Sequence, residues 1–312
     1  MSPSWNGCEV KEMSRSVPIG KMVGEEIVTS GSTSCQGCGH AVLARLAFKV
    51  FGRKTIFTLV PGCIWITLSR NIPLFSTGTV FEGGGALVSG ITNGLAARGI
   101  EDMNVVAFYG DGGTADIGLQ GLSGAAERNE NVFWICADNQ AYMNTGGQRS
   151  GATPKYAQTT TTPASDIRRG KRTKRKNLPF IVAAHDVAYV GTASIAYPSD
   201  LVGKIEYAKG LKGFKFLHVQ SPCPTGWGFS PSDTIKVARL TVQSGIWPLF
   251  EVTDGSDFRL TYKPRELKPV GEALGLQRRF RHLTDVESQE IQSRVNGQWK
   301  QLLEIDGKRL PF

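Results

Sequence analysis

A short apolar strand running into Gly110-Asp111-Gly112, answered some thirty residues on by a second strand ending at Asp138-Asn139, constrains this chain more than any other feature. Val105 to Tyr109 reads as a buried strand, so Asp111 falls on a loop whose glycines let a ligand approach the backbone. The second strand, Asn131 to Ala137, brings the Asn139 amide to the same edge of a parallel sheet. Open α/β sheets bind ligands at that edge. A carboxylate, an amide oxygen and a neighbouring backbone carbonyl are hard oxygen donors, suited to Mg²⁺ with positions left for phosphate oxygens. A bare Gly-Asp-Gly also occurs in ordinary strand-loop-helix turns; the Asn139 partner and the Asn144-Thr145-Gly146 run that follows favour a metal-diphosphate site.

Size and composition fit this reading. With 312 residues the chain can bury one large α/β core or two smaller ones. Residues 1–17 mix polar, charged and small side chains and read as neither a secretory signal nor a membrane anchor. The longest apolar stretch, Ile56 to Leu68, is interrupted by Pro61-Gly62 and is too short to span a bilayer. A cytoplasmic protein is expected. The net charge of +9 is partly local: Arg168, Arg169, Lys171, Arg172, Lys174, Arg175 and Lys176 form one run. Without interleaved aromatics it reads as a solvated or subunit-facing loop rather than a specific anion site, and nucleic acid is not expected as a partner.

The cysteines carry a second signal. Cys35 and Cys38 form a Cys-x-x-Cys pair in Ser-Cys-Gln-Gly-Cys-Gly-His, Cys63 follows Pro61-Gly62 after the strand Thr55 to Val60, and Cys223 follows the strand Phe214 to Gln220. In a reducing compartment such a pair is more often a metal or redox site than a disulfide. All four lie on loops at strand ends or helix starts, where distant segments converge. Four thiolates can take zinc or an iron-sulfur cluster, and the spacing alone leaves both open. Cys136, inside an apolar strand, reads as a small core residue, and Cys8 lies near the terminus.

The Gly-Asp-Gly to Asn pattern resembles the thiamine diphosphate motif. The resemblance implies Mg²⁺ bound by Asp111, Asn139 and the backbone oxygen of Ala141. Five runs in order, Gly-Cys-Gly-His, Gly-Asp-Gly-Gly-Thr-Ala-Asp-Ile-Gly, Ala-Tyr-Met-Asn-Thr-Gly, Arg-Ser-Gly-Ala-Thr-Pro and Cys-Pro-Thr-Gly-Trp, extend from about Thr29 to His282. Together they resemble the β subunit of 2-oxoacid:ferredoxin oxidoreductases of the pyruvate:ferredoxin type. That resemblance implies one 4Fe-4S cluster on Cys35, Cys38, Cys63 and Cys223, beside the thiamine diphosphate. It also implies that Asn144 faces the reacting end of the cofactor, as the candidate catalytic residue. Gly39, His40, Gly62, Cys63, Gly110, Gly112 and Gly113 complete the expected cofactor-binding set. The glycine turn before His40 offers free amides at a helix start for phosphate; His40 itself suits a diphosphate hydrogen bond or a cap or packing role equally.

Alternating helices and strands imply a doubly wound, mostly parallel sheet. Helices are expected at His40 to Val50, Gly84 to Ala97, Leu178 to Ala184 and Ser199 to Lys209, with a strand at Val187 to Gly191. Residues 29–231 read as the cofactor and cluster domain, 1–28 as an N-terminal extension, and 232–312 as a C-terminal extension with a helix, a strand at Leu249 to Val252 and a polar tail. A complete thiamine diphosphate site needs a second domain for the aminopyrimidine and an activating Glu, and two such domains exceed this chain. Partner subunits are therefore expected to supply both, with ferredoxin taking the electrons. Pro61 where Thr is usual, Gln140 where Glu is usual and Phe81-Glu82-Gly83-Gly84-Gly85 where Phe-Glu-Asn is usual point to a small charged acid, and oxalate is expected slightly ahead of pyruvate. A cluster-free decarboxylase or synthase, or a zinc-binding subunit, is the rival class.

Overall fold

The computed structural model describes residues 16–18, 21–22, 24–165 and 167–312. Cys8 and most of the segment read as lacking a leader or anchor lie outside the described residues. Eight strands form one sheet: β1 (Thr55–Leu59), β2 (Ser76–Gly78), β3 (Asn104–Gly110), β4 (Phe133–Asp138), β5 (Tyr189–Ser194), β6 (Lys215–Gln220), β7 (Phe250–Thr253) and β8 (Asp257–Leu260). Their order is β2-β1-β3-β4-β6-β5-β7-β8. The first six pair in parallel, and β7 and β8 close one edge as an antiparallel pair. The doubly wound, mostly parallel sheet expected from the sequence is thus the fold observed.

Side chains on successive strand residues point to opposite faces, and the core divides accordingly. Val106, Phe108, Ile135, Ala137 and Leu217 enter one cluster with α1 (Gly39–Phe51) and α7 (Pro198–Lys209). Val105, Ala107, Tyr109, Trp134, Cys136 and Phe216 enter the other, with α3 (Gly84–Ala97), α5 (Leu119–Glu127) and α6 (Leu178–Ala183). Both faces are covered, so the central strands are buried throughout and mostly apolar, as parallel sheets require, with Lys215, His218 and Gln220 the polar exceptions on β6. Cys136 is fully buried on the second face, the core role read from its strand.

The stretch read as a polar tail is ordered and joined to this core. β7 pairs with β5 and β8 with β7, and α10 (Val270–Leu274) and α11 (Asp285–Ile305) follow. Thr284 and Glu287 form a reciprocal cap at the start of α11. Along its 21 residues only Ile291, Val295 and Leu302 are buried, which is why its composition looked solvated. β2, three residues long and mostly exposed, was equally too short to read.

Three further short helices matter to the site: α2 (Cys63–Leu68), α4 (Asp111–Ala115) and α8 (Pro224–Trp227). β1 leads outward to β2 on one side, whereas β3 leads to β4 on the other. The winding therefore reverses between β1 and β3, and the crevice at their carboxyl ends is where such a sheet takes its ligand. Gly62, Cys63, Gly110 and Asp111 stand there. No helix among the described residues is long and apolar enough to cross a membrane.

Candidate functional site

The crevice holds a cavity of about 70 Å³ lined by His40, Gly62, Cys63, Gly110, Asp111, Gly112, Gly113, Asn139, Ala141 and Asn144. The residues expected to hold the cofactor and Mg²⁺, all but Gly39, thus meet at one place. Gly39, the remaining member, opens α1 beside it and packs so closely on Ser221 that a Cβ would lie 2.9 Å from backbone carbon.

The glycines have different reasons. A Cβ on Gly112 would sit 2.2 Å from the Tyr142 ring, and one on Gly113 would lie 2.8 Å from Val60. Gly62, at φ 152°, and Gly110 meet no protein atom within 4 Å. Both line the cavity, so a Cβ there would project into ligand space. The cradle is kept open by residues that the protein's own packing does not require to be glycine.

At the position expected for a metal, the Asn139 side-chain oxygen as placed stands 2.8 Å from the Ala141 carbonyl oxygen and 3.1 Å from Asp111 Oδ1. Three oxygens facing one another without a proton repel. Turning the amide would let its nitrogen donate to the other two; a cation among them relieves all three at once. Asp111 is buried, and burial, with the Asp138 carboxylate second, pushes its carboxyl well above the usual range. A buried carboxylate next to another gains most from a divalent ion, so the donor set fits Mg²⁺.

Several residues that hold this arrangement were not singled out in the sequence. Ser150 Oγ donates to Asp111 Oδ2, and Thr153 Oγ1 donates to the Gln140 carbonyl at 2.6 Å. Lys171 Nζ donates to the carbonyls of Ser150, Gly151 and Thr153, the last at 2.6 Å, and so pins that loop. Asp138 accepts from the Gln140 amide at 2.7 Å and lies 2.8 Å from His218 Nε2. Trp227 Nε1 donates to the Asn139 carbonyl at 2.7 Å. Ser150 and Thr153 belong to the Arg-Ser-Gly-Ala-Thr-Pro run, whose presence was a signal without a role.

His40 is buried, and neither ring nitrogen makes a well-formed hydrogen bond among the described residues, although the Ala137 carbonyl lies close enough to favour the protonated ring. It therefore does not cap α1. Burial lowers its pKa to about 4, so it is neutral and presents one donor and one acceptor. Buried polar atoms are nearly always paired, and an unpaired pair of nitrogens on this cavity suits a polar group of a ligand.

The cysteines gather on the adjoining side. Cys38 caps α1, Cys63 opens α2 and Cys223 caps α8, where its sulfur accepts from the Gly226 amide at 3.3 Å. Helix starts favour thiolates. Burial and then the neighbouring Cys223, Cys38 and Cys35 push the Cys63 thiol up to about 12, with Asp111 adding to the effect. The four sulfurs therefore share one neighbourhood with the oxygen site. Among the described residues, no three His, Cys, Asp or Glu side chains are gathered tightly enough to hold a single ion.

The basic run is not the uniformly solvated loop expected. Lys171 is buried on its three carbonyls, and Arg169 pairs with Glu287. Arg175 lies over the Trp247 ring at 4.7 Å, while Arg168, Arg172, Lys174 and Lys176 are exposed. The C-terminal segment accounts for Arg169 and Arg175, and the 150–153 loop for Lys171.

Residues 62–219 match the family of thiamine pyrophosphate enzymes at their C-terminal TPP binding domain, so fold and site define a thiamine diphosphate-binding unit. Pyruvate synthase subunit PorB of Methanothermobacter marburgensis is 47% identical over 288 residues, covering 90% of this chain and 99% of that protein. Ketoisovalerate oxidoreductase subunit VorB of Pyrococcus abyssi is 40% identical over 294 residues, covering 90% and 94%. A 2-oxoglutarate:ferredoxin oxidoreductase from Magnetococcus marinus shares the fold, with a TM-score of 0.55 and 23% identity over 70% of this chain and 79% of that one. The chain belongs to the β subunits of the 2-oxoacid:ferredoxin oxidoreductases, which act with partner subunits.

The relatives do not support oxalate, and pyruvate fits better. Two of the three departures that suggested oxalate have packing roles, whereas Pro61 lines the cavity itself. Gln140 Oε1 accepts from the buried Arg279 at 2.6 Å. Gly84 packs under Tyr109, and a Cβ on Gly85 would lie 2.1 Å from the Gly121 carbonyl, so these glycines let α3 cross α5.

Proposed function

We propose that this chain is the β subunit of a pyruvate:ferredoxin oxidoreductase, carrying thiamine diphosphate with Mg²⁺ and one 4Fe-4S cluster. In the reaction, pyruvate and coenzyme A give acetyl-CoA, CO₂ and a proton, and two electrons leave singly to two ferredoxins. The carrying observation is the meeting of Asp111, Asn139 and Ala141 oxygens at the point where the sheet's winding reverses, beside Cys63.

Asp111, Asn139 and the Ala141 carbonyl would hold Mg²⁺, and the open glycines with neutral His40 would take the diphosphate. Bound there, the cofactor supplies an electron sink for loss of the substrate carboxylate. Phe81, Tyr142 and Met143 line the same cavity and exclude water, and Asn144 is the polar group offered toward substrate. Cys35, Cys38, Cys63 and Cys223 would hold the cluster. The neighbourhood that Cys63 shares with Cys35, Cys38 and Cys223 supports a common site for the four thiolates.

Partner subunits supply the aminopyrimidine pocket and the activating Glu in this reading. Support comes from size: about 70 Å³ is far below the roughly 300–1,000 Å³ of sites that enclose a cofactor-sized ligand. Another chain must build the remaining wall. The assembled complex should reduce ferredoxin with pyruvate only when coenzyme A is present. Ferredoxin reduction with oxalate and no coenzyme A would overturn the substrate, and turnover by this chain alone would overturn the shared site.

A further inference from the structure

The short helix α8 touches both halves of the proposed site. At its start the Cys223 sulfur accepts from the Gly226 amide at 3.3 Å, and at its end the buried Trp227 donates Nε1 to the Asn139 carbonyl at 2.7 Å. Gly226 lies between them, and the side chain that covers it comes from the 139–145 loop. A Cβ on Gly226 would stand 2.1 Å from Met143 Sδ and 2.3 Å from Met143 Cε, so the thioether rests on the α-carbon itself. The same Cβ would stand 3.4 Å from the Cys223 sulfur. Met143 also lines the cofactor cavity, and its amide donates to the Ala141 carbonyl at 2.9 Å. One side chain thus connects the cavity with the amide that serves a cysteine sulfur.

An N–H aimed at sulfur stabilises added negative charge, and hydrogen bonds to the sulfurs are among the features that set an iron-sulfur potential. A methionine is unbranched and adapts to whatever surrounds it, so its grip on a neighbour depends on being packed from both sides. We propose that Met143 is a positioning residue that ties the cluster's potential to occupancy of the cofactor cavity: with thiamine diphosphate in place, the thioether holds Gly226 so that its amide stays on the Cys223 sulfur, and the potential rises. The link rests on the thiamine diphosphate and cluster reading above. Cofactor binding and cluster reduction then favour each other by one and the same factor. The acceptor is poised for electrons only when the donor site is filled.

The test is a reductive titration with dithionite of the assembled complex, carrying the wild-type chain or a variant. It is run with the cofactor removed and with saturating Mg²⁺ and thiamine diphosphate, following the cluster signal that Cys63→Ser abolishes. The cofactor should raise the wild-type potential by about 28 mV more than that of Met143→Ala, which corresponds to about threefold for a one-electron couple. Titrated into oxidised and reduced complex, thiamine diphosphate should show the same preference of about threefold for the reduced wild type, relative to Met143→Ala. Met143→Leu, which refills the space over Gly226, should keep the wild-type shift. If Met143→Ala does not fold, Met143→Val, too short to cover Gly226, carries its expectation. Equal shifts in the wild type and the shortened variant, or a Met143→Leu complex that behaves like the shortened variant, would overturn the link while leaving the cofactor and the cluster in place. A wild-type complex that lacks the Cys63-dependent signal, or binds no thiamine diphosphate, would overturn the underlying reading and the link with it.

Discussion

Ser150→Ala removes one hydroxyl from beneath the proposed metal site, and its effect can be worked from the structure. Ser150 Oγ donates to Asp111 Oδ2, the oxygen turned away from Asn139, and thereby sets which carboxylate oxygen faces the cation. A hydrogen bond to a charged group is worth about 1.5–3 kcal/mol, or roughly 10- to 150-fold in an equilibrium constant. The lower end applies, because the amides of Asp111 and Asn139 also favour the charged carboxylate. Loss of outer-shell partners costs ligands about 10–100-fold in metal affinity, which agrees. The Mg²⁺ concentration supporting thiamine diphosphate binding should therefore rise about tenfold, read by calorimetric titration at fixed cofactor. Thr153→Ala is the control: Thr153 Oγ1 ties the same loop to the Gln140 carbonyl without touching Asp111. Wild-type Mg²⁺ affinity in Ser150→Ala would refute the reasoning, and equal losses in both variants would reduce it to loop packing.

Gly110→Ala should keep the wild-type melting temperature and yet lose cofactor binding, since its Cβ meets only ligand space, whereas Gly112→Ala should lose both because of the Tyr142 ring; thermal melts with and without cofactor separate them. Cys63→Ser should remove the iron and the visible absorbance of the purified chain while thiamine diphosphate still binds, shown by metal analysis and cofactor titration; retained iron at wild-type content would exclude Cys63 as a ligand. Arg169, first, and the Thr284 cap lower the Glu287 pKa from 4.5 to about 2. A depressed carboxylate stabilises the fold fully above its unfolded value and loses that contribution as pH falls toward its folded value. The wild type should accordingly lose melting temperature between pH 4.5 and about 2 more steeply than Glu287→Gln, and parallel melting curves would count against the pairing.

What the sequence revealed follows from the range of the interactions that write it. Gly110 to Gly113 and Asn139 were legible because a strand end, a tight turn and an oxygen ligand occupy a few consecutive residues. The central parallel strands were legible because burial on both faces makes them predominantly apolar. Lys171, His218, Trp227 and Arg279 were not, because each acts on the 138–141 or 150–153 loop from a more distant segment and has no local pattern. Arg279 lies 139 residues from Gln140. α11 was hidden because only three of its 21 residues are buried, and β2 because three residues carry no period.

The same contrast explains why the family and its thiamine diphosphate were legible while the substrate was not. Ligands of a cofactor must be particular atoms at particular places, so the proposed roles of Asp111 and Asn139 could be read from a local pattern. Gln140 and Gly84-Gly85 answer to packing: one accepts from a buried guanidinium, and the others sit under Tyr109 and against Gly121. A departure from a family pattern beside an active site has functional meaning only after its packing role is known. Gln140→Glu tests this directly. If the position selects substrate, the preference among 2-oxoacids should change; if it serves Arg279, the carboxylate should form an ion pair there, raise the melting temperature and leave the preference unaltered.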